Sequence, residues 1–322
     1  MDDITVLVLA HPAEPQLAML HELPDATTIA VGNTLEAFER SAAGADVILY
    51  SSAEGQLFQQ VWRMAPRVRW VHSLSAGLDG VLFPELVASP VPLTNARGAF
   101  SPALGEFAIG AILFFAKDFR RLVRSQMAGV WEEFDIVEIR GQSLGIVGYG
   151  DIGRAVASRA HALGMKVLAL RRRPELSRDD PYITQVFAAD QKQQMLAQSD
   201  YVVVVTPLTP ESRGIIGERE LDAMKPSAVL INIGRGPVVD EGALIRALER
   251  KRIRGAALDV FAVEPLPAGH PFYKLENVLL SPHSADHTPD WEERTMRLFL
   301  DNFERFRRGE PLLNVVNKKL GY

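Results

Sequence analysis

Three side chains in the second half of this 322-residue chain have the chemistry to move a proton and grip an acid: Arg235, Glu264 and His283. A guanidinium clamps a carboxylate, or polarises a carbonyl oxygen, through charge-assisted hydrogen bonds. An imidazole gives or takes a proton near neutral pH, and a carboxylate beside it orients the ring and attracts its charged form. Each residue lies at or just past the end of an apolar, strand-like run: Ala228–Ile233, Gly255–Val260 and Val278–Ser281. Strand ends in a parallel sheet share one edge, so residues far apart in sequence are expected side by side there. Arg235 is framed by Gly234 and Gly236, which let a ligand approach the backbone closely.

A second constellation begins at the strand-like run Leu144–Val147, passes through Gly148-Tyr149-Gly150-Asp151-Ile152-Gly153, continues as a helix-period segment to Leu163 and returns as a strand at Met165–Leu170. This is a βαβ unit with a dinucleotide fingerprint in its first turn. Gly148 makes the tight turn, Gly150 lets the backbone meet a pyrophosphate, and Gly153 lets helix and strand pack closely. The anion sits on the unpaired N–H groups of the helix start. An NAD site usually places an acidic residue about 20 residues beyond the glycines to hold the ribose 2′-hydroxyl. Here Arg171, Arg172 and Arg173 end the second strand. Guanidinium groups bind a 2′-phosphate where a carboxylate would repel it, so the expected cofactor is NADP(H), with Arg171 the first contact and Arg172 the second.

These residues need a sheet to hold them. From Leu144 to Ser281 roughly six strands alternate with helices, including Tyr201–Val205, whose end carries Thr206 and Pro207 beside the nucleotide, and helices near Gln191–Ala197, Glu218–Met224 and Glu241–Lys251. A polar link runs to about Ala188. Upstream, residues 4–10 read as a buried strand followed by a polar, alanine-rich helical segment. Strands follow at Asp46–Tyr50, Val68–Val71 and Val91–Asn95, with helices near Leu35–Ala42 and Glu54–Met64. That alternation predicts a second, smaller parallel sheet with helices on its faces. The glycine-rich loop from His72 to Gly80 follows one of its strands, where backbone N–H groups can hold a ligand. Ala96–Gly98 reads as a hinge, and the apolar segment Pro102–Met127 as a helix buried between domains or against another subunit. The amphipathic helix Trp291–Arg307 and its tail are too short to fold alone and are expected back on the first domain.

Composition narrows the classes. With 47% hydrophobic and 23% charged residues the chain is globular, and 322 residues suggest two domains. A net charge of −5 gives no general attraction to nucleic acid or anionic membrane. Without cysteine there are no disulfides, thiolate metal sites or thiol nucleophiles. The acidic start "MDDITVLVLA" is unlike a signal peptide, and the longest apolar run, Phe107–Ala116, is short of the about 20 residues that span a bilayer, so a cytoplasmic protein is expected. Of seven histidines, His283 and His287 have the spacing of a metal pair, but Pro282 and Pro289 oppose a helix across them and no third ligand is evident; no metal is expected.

The stretches "GIVGYGDIGR", "LINIGRGPVVDEGALIRAL", "AALDVFAVEPLP" and "NVLLSPHSA" resemble, in order and spacing, the signatures of the D-isomer-specific 2-hydroxyacid dehydrogenases. The likeness covers nearly the whole chain and implies an α/β fold: a doubly wound parallel Rossmann nucleotide domain (98–286) inserted in a smaller flavodoxin-like α/β substrate domain (1–97 and 287–322). It implies that Arg235 binds and polarises a 2-oxo acid, that His283 is the acid/base and that Glu264 is its carboxylate partner. It further implies that the loop Ser75–Asp79, with Ser75 a substrate-binding residue, holds the substrate carboxylate through the backbone of Ala76 and Gly77, and that Asp259 lies near the nicotinamide carboxamide, with Ile233, Gly234 and Ala285 also lining the cofactor. By the same likeness the Pro102–Met127 helix packs across a homodimer, and the domains close about Ala96–Gly98 and the link near His287. The arginine cluster departs from NAD-specific members and resembles NADP-using glyoxylate and hydroxypyruvate reductases. Serine follows His283 where many members carry a small apolar residue, which leaves the preferred 2-oxo acid open. Two alternatives share the fold: a formate- or phosphite-type dehydrogenase, against which the arginines argue, and a nucleotide-sensing corepressor or scaffold.

Overall fold

A computed structural model describes residues 3–52 and 55–322. The chain divides into two compact units, Met1–Phe100 with Thr288–Tyr322, and Ser101–His287. In chain order the first stretch supplies β1 (Thr5–Leu9), β2 (Thr28–Gly32), β3 (Val47–Tyr50), α1 (Gly55–Met64), β4 (Trp70–Ser73), α2 (Pro84–Ala88) and β5 (Leu93–Asn95). The second unit supplies α3 (Ser101–Ala116), α4 (Phe119–Ala128), β6 (Ser143–Val147), α5 (Asp151–Ala162), β7 (Lys166–Leu170), β8 (Gln185–Phe187), α6 (Lys192–Gln198), β9 (Tyr201–Val204), α7 (Glu218–Ala223), β10 (Val229–Asn232), α8 (Glu241–Glu249), β11 (Gly255–Leu258) and β12 (Val278–Leu280). Helix α9 (Trp291–Arg308) belongs to the first unit.

Among the described residues, the first unit's sheet is parallel, in the flavodoxin-like order β2-β1-β3-β4-β5. A parallel sheet covered on both faces needs nearly continuous apolar strands, and β1 and β3 are such runs. Leu7, Leu9 and Ile48 pack with Phe58 and Val61 of α1 on one face. Val6, Val8 and Leu49 pack on the other with Trp70, Phe299 and Phe303. Met296, Phe299, Leu300 and Phe303 recur at helical spacing and give α9 its buried stripe, with Phe299 stacked on Trp70 at 5.4 Å between ring centroids. Lys318 Nζ pins the tail by donating to the carbonyls of Leu86, Ser89 and Val91 at 2.9, 2.7 and 2.7 Å.

The second unit's sheet is also parallel, ordered β12-β11-β10-β9-β6-β7-β8 among the described residues. The chain steps outward from β6 in one direction and then, from β9, in the other. This is the doubly wound Rossmann arrangement, whose ligand crevice lies beyond the carboxyl ends where the order reverses. Close packing relies on missing side chains: a Cβ on Gly145 would stand 2.4 Å from Ser199 Oγ, and one on Gly105 of α3 only 3.1 Å from Ala155 O of α5.

Several expectations are corrected. The helical segment expected after β1 is a 3-10 helix, Pro15–Glu22, but strand β2 follows it unannounced, and the polar link before Ala188 contains β8. Both overlooked strands are sheet edges, half exposed, with apolar runs of only three and two residues, Ile29–Val31 and Val186–Phe187. Residues 35–42 form no continuous helix but a 3-10 turn at Leu35–Phe38, with another at Ala42–Gly44. Pro102–Met127 is not one helix: Asp118 takes a left-handed conformation (φ 48°), ends α3, and caps α4 by accepting from Arg121 N–H. Among the described residues seven strands build the larger sheet, where roughly six were expected. Glu54, expected to begin the α1 helix, lies outside the described residues, as do Met1 and Asp2. Among the described residues no helix is long and apolar enough to cross a membrane.

His72, at the centre of β4, is fully buried; its Nδ1 lies 2.7 Å from Thr94 Oγ1, which also accepts from Trp70 Nε1 at 2.8 Å. Burial pushes the imidazole from the ordinary 6.5 down to about 3. Because the unfolded chain protonates first, the stability that neutral His72 confers is complete above pH 6.5 and declines as pH falls toward 3. Replacing His72 by Gln is expected to remove about 2 kcal/mol of the stability lost between pH 6.5 and about 5, read from denaturant unfolding followed by tryptophan fluorescence. An equal acid loss in both proteins would assign that titration elsewhere.

Candidate active site

The turn after β6 has the shape a pyrophosphate needs. Gly148 sits at φ 97°, and a Cβ there would meet Thr206 Cγ2 at 2.8 Å. A Cβ on Gly153 would stand 2.5 Å from Gly148 O, whereas one on Gly150 would meet nothing within 4 Å. Two of the three glycines are therefore demanded by packing, and the middle one borders open space at the start of α5. Asp151, the first residue of α5, accepts a hydrogen bond from Ser101 Oγ. Ile152 is half-buried and Tyr149 buried. Burial, reinforced by the nearby Asp180 carboxylate, holds the Tyr149 phenol above its usual range and therefore neutral. Thr206, whose Cγ2 faces this turn, has its Oγ1 buried without a hydrogen-bond partner among the described residues, a polar atom that a bound nucleotide could satisfy. Ser212 Oγ donates to Pro207 O at 2.6 Å and fixes the loop that follows. These features fit a dinucleotide.

At the end of β7 the backbone N–H of Arg171 donates to Phe187 O of β8 at 3.0 Å, and its guanidinium donates to the buried Ser177 Oγ. Arg172 and Arg173 are exposed. Ser177 had no signal in the sequence, because the 3-10 turn Pro174–Ser177 folds it back on Arg171 only in three dimensions. Asp180 pairs with Arg154 of α5 at 2.8 Å.

At the other end of the sheet, His283 Nδ1 lies 2.6 Å from Glu264 Oε2, and Glu264 Oε1 accepts the Phe261 N–H at 2.8 Å. Both side chains are partly exposed. The sheet thus brings together a histidine and a carboxylate separated by 19 residues, with the carboxylate braced by backbone. Arg235 follows β10, and its Nη1 donates to Gly234 O at 2.9 Å. Its turn is held by Asn232, which is buried and donates to Arg235 O at 3.1 Å while accepting from Gly234 N–H at 3.1 Å. A Cβ on Gly236 would fall 1.9 Å from Phe261 O, so the arginine turn lies directly on the segment carrying Glu264. Ile233 N–H continues the ladder to Val204 O, and Gly234 packs against Thr206 O.

Asp259, buried at the end of β11, accepts from Ser284 N–H and Ala285 N–H through one oxygen, at 3.0 and 3.1 Å. Asp286, on the same turn, is pushed above the ordinary carboxylate range chiefly by burial, with Asp259 adding to the rise and His287 and His283 opposing it. Neither Asn232 nor Asp286 was singled out from sequence: one looks like the polar end of a strand, the other like a loop acid.

In the first unit, the loop after β4 exposes a particular set of donors. Ser75 O accepts from Ala96 N–H at 3.2 Å and Ala76 O from Asn95 Nδ2 at 2.7 Å. In a trans peptide the N–H points opposite its carbonyl, so these bonds turn the N–H groups of Ala76 and Gly77 away from β5. Ser75 N–H instead donates to Ser73 Oγ at 3.2 Å. Asn95, a further residue that sequence reasoning missed, therefore orients this loop.

A family model described as D-isomer specific 2-hydroxyacid dehydrogenase, NAD binding domain, matches residues 109–285. A glyoxylate reductase of Thermococcus gammatolerans is 35% identical over 85% of this chain and 82% of its own length. One from Thermofilum pendens is 33% identical over 95% and 92%. Among solved structures, a D-isomer specific 2-hydroxyacid dehydrogenase from Xanthobacter autotrophicus in complex with NADPH and MES has a TM-score of 0.85 at 29% identity, covering 100% of both chains. An NADPH-dependent glyoxylate/hydroxypyruvate reductase from Sinorhizobium meliloti in complex with NADP and sulfate has a TM-score of 0.86 at 27% identity, covering 99% of this chain and 100% of its own. Matched by the family model over more than half its length and by relatives over most of it, this chain belongs to the D-isomer-specific 2-hydroxyacid dehydrogenase family of oxidoreductases, with an NAD-binding Rossmann domain.

Proposed function

We propose that the protein reduces a small 2-oxo acid to the D-2-hydroxy acid with NADPH. The observation that carries this reading is the His283–Glu264 pair, 2.6 Å apart, on the sheet edge that also bears the glycine turn and Arg235. Residues Gly148–Gly153, Thr206, Pro207, Ile233, Gly234 and Ala285 are assigned to the dinucleotide, with Arg171–Arg173 on its 2′-phosphate. Bound there, the nicotinamide supplies a hydride. Glu264 accepts the Nδ1 proton of the His283 imidazolium in a hydrogen bond, so that its Nε2 proton passes to the oxygen that becomes hydroxyl and the ring is left as the neutral Nδ1–H tautomer. Arg235 stabilises the charge growing on that oxygen. The backbone N–H groups of Ala76 and Gly77 are assigned to the substrate carboxylate, with Ser75 beside them. Support for the substrate class comes from the glyoxylate reductase relatives, and support for the phosphorylated coenzyme from the solved relatives holding NADPH or NADP.

The test is NADPH and NADH oxidation measured against glyoxylate, hydroxypyruvate, pyruvate and longer 2-oxo acids, with formate and phosphite assayed in the reverse direction. Turnover of a 2-oxo acid with NADPH is expected. Oxidation of formate or phosphite instead, or nucleotide binding with no turnover, would overturn the reading.

We further propose a homodimer. Helix α4 has no buried residue, and Phe119, Leu122, Val123 and Met127 are exposed, followed by Val130 and by Trp131 at 95% exposure. An apolar stretch this continuous and this uncovered is what a second copy would bury.

Three outcomes follow from these assignments. Arg171→Ala is expected to raise the KM for NADPH by about tenfold or more while leaving that for NADH unchanged. His283→Ala is expected to lower kcat by roughly 10²- to 10⁴-fold with NADPH affinity, read by fluorescence titration, preserved. Trp131→Glu combined with Met127→Glu is expected to give a monomer by light scattering, where the parent runs as a dimer.

A further inference from the structure

The turn that carries His283 is not held by its own sequence. His283 occupies the left-handed region at φ 52°, a conformation uncommon for a residue with a side chain and one that persists only where surrounding contacts enforce it. Three hydrogen bonds enforce it, and all three end on Asp259. The Asp259 carbonyl accepts from His283 N–H at 2.9 Å, and its Oδ1 accepts from Ser284 N–H at 3.0 Å and Ala285 N–H at 3.1 Å. Asp259 is itself fixed from behind, its N–H donating to Asn232 O at 3.0 Å, and its side chain is 99% buried because the residue is only 1% exposed. A buried carboxylate with two backbone donors on one oxygen is a clasp in which charge-assisted bonds replace hydration.

We infer that Asp259 is a positioning residue for His283: its carboxylate grips the two peptides after the histidine and thereby sets where the imidazole stands. This differs from a contact with the nicotinamide carboxamide, the role the family likeness implies, and the two make opposite predictions for conservative replacement. Asparagine keeps an oxygen that can accept from both N–H groups, so it preserves the clasp. It also puts an amide donor where the other carboxylate oxygen stood, which harms an acceptor role toward a carboxamide. Alanine removes both functions.

The inference rests on the reductase reading for its kinetic arm and stands apart from it in a second arm. In the kinetic arm, Asp259→Ala is expected to lower kcat by about 100-fold, the scale on which a displacement near 1 Å acts, with the dissociation constant for NADPH unchanged by fluorescence titration. Asp259→Asn is expected to recover most of that loss in kcat. In the second arm, amide hydrogen exchange of the peptide spanning Ser281–Asp286, measured without coenzyme or substrate, is expected to be slow in the parent and in Asp259→Asn and fast in Asp259→Ala. Where Asp259→Ala fails to fold, Asp259→Ser, too short to reach both peptides, must give the same pattern. Equal kcat losses in the Asn and Ala proteins, a loss confined to NADPH affinity, or exchange unaltered by Asp259→Ala would each overturn the inference. A parent protein that reduces no 2-oxo acid overturns the functional reading instead, and the exchange arm then decides the clasp alone.

Discussion

Backbone approaching backbone is the constraint on which the second unit depends. Its strands are all parallel, so their turns crowd one edge, and several of those turns lie closer together than side chains allow. Gly153 lies on Gly148 O, Gly148 on Thr206, Gly234 on Thr206 O, and Gly236 on Phe261 O, with hypothetical Cβ contacts of 2.5, 2.8, 3.0 and 1.9 Å. Followed in order, these contacts link the nucleotide turn to the arginine turn and the arginine turn to the segment bearing Glu264. The glycine turn and the His283–Glu264 pair are thus parts of one packed edge. A side chain at any of the four glycines would push two turns apart, and through them the groups they carry.

The edge is held by a few polar side chains, Asn232 and Asp259 buried and Glu264 partly exposed, whose partners are largely main-chain atoms. Asn232 spans its own turn, Asp259 reaches across to the turn after β12, and Glu264 takes the Phe261 N–H with one oxygen while the other meets His283. Buried groups of this kind are costly to leave unpaired, so each one defines a geometry as well as stabilising it. In the first unit Asn95 does the same by holding Ala76 O, which leaves the following N–H groups pointing the other way.

Charge is arranged differently at the two ends of the nucleotide site. Near His283 stand the carboxylates Glu264 and Asp286, with Asp259 beneath the same turn, whereas Arg171–Arg173 accumulate positive charge past β7 with Ser177 steadying the first of them. This division of charge is the one the proposed function calls for. Neither follows from the net charge of −5, which averages over both.

The sequence by itself determined whatever is encoded locally. The βαβ fingerprint, the arginines after β7, and the apolar runs of the central strands could be read directly, because sterics at glycine, charge at arginine and burial of valine and leucine act where those residues stand. Arg235, Glu264 and His283 were readable as strand-end residues for the same reason. What only the tertiary structure decided depends on partners distant in the chain. Edge strands β2 and β8 carry apolar runs of only three and two residues, too short to mark a strand, and their pairing is conferred by β1 and β7. The break at Asp118 follows from a left-handed backbone conformation that hydropathy does not register. The roles of Asn95 and Asp259 as clasps could not be read either, since a side chain that binds another segment's main chain leaves no pattern in the residues around it.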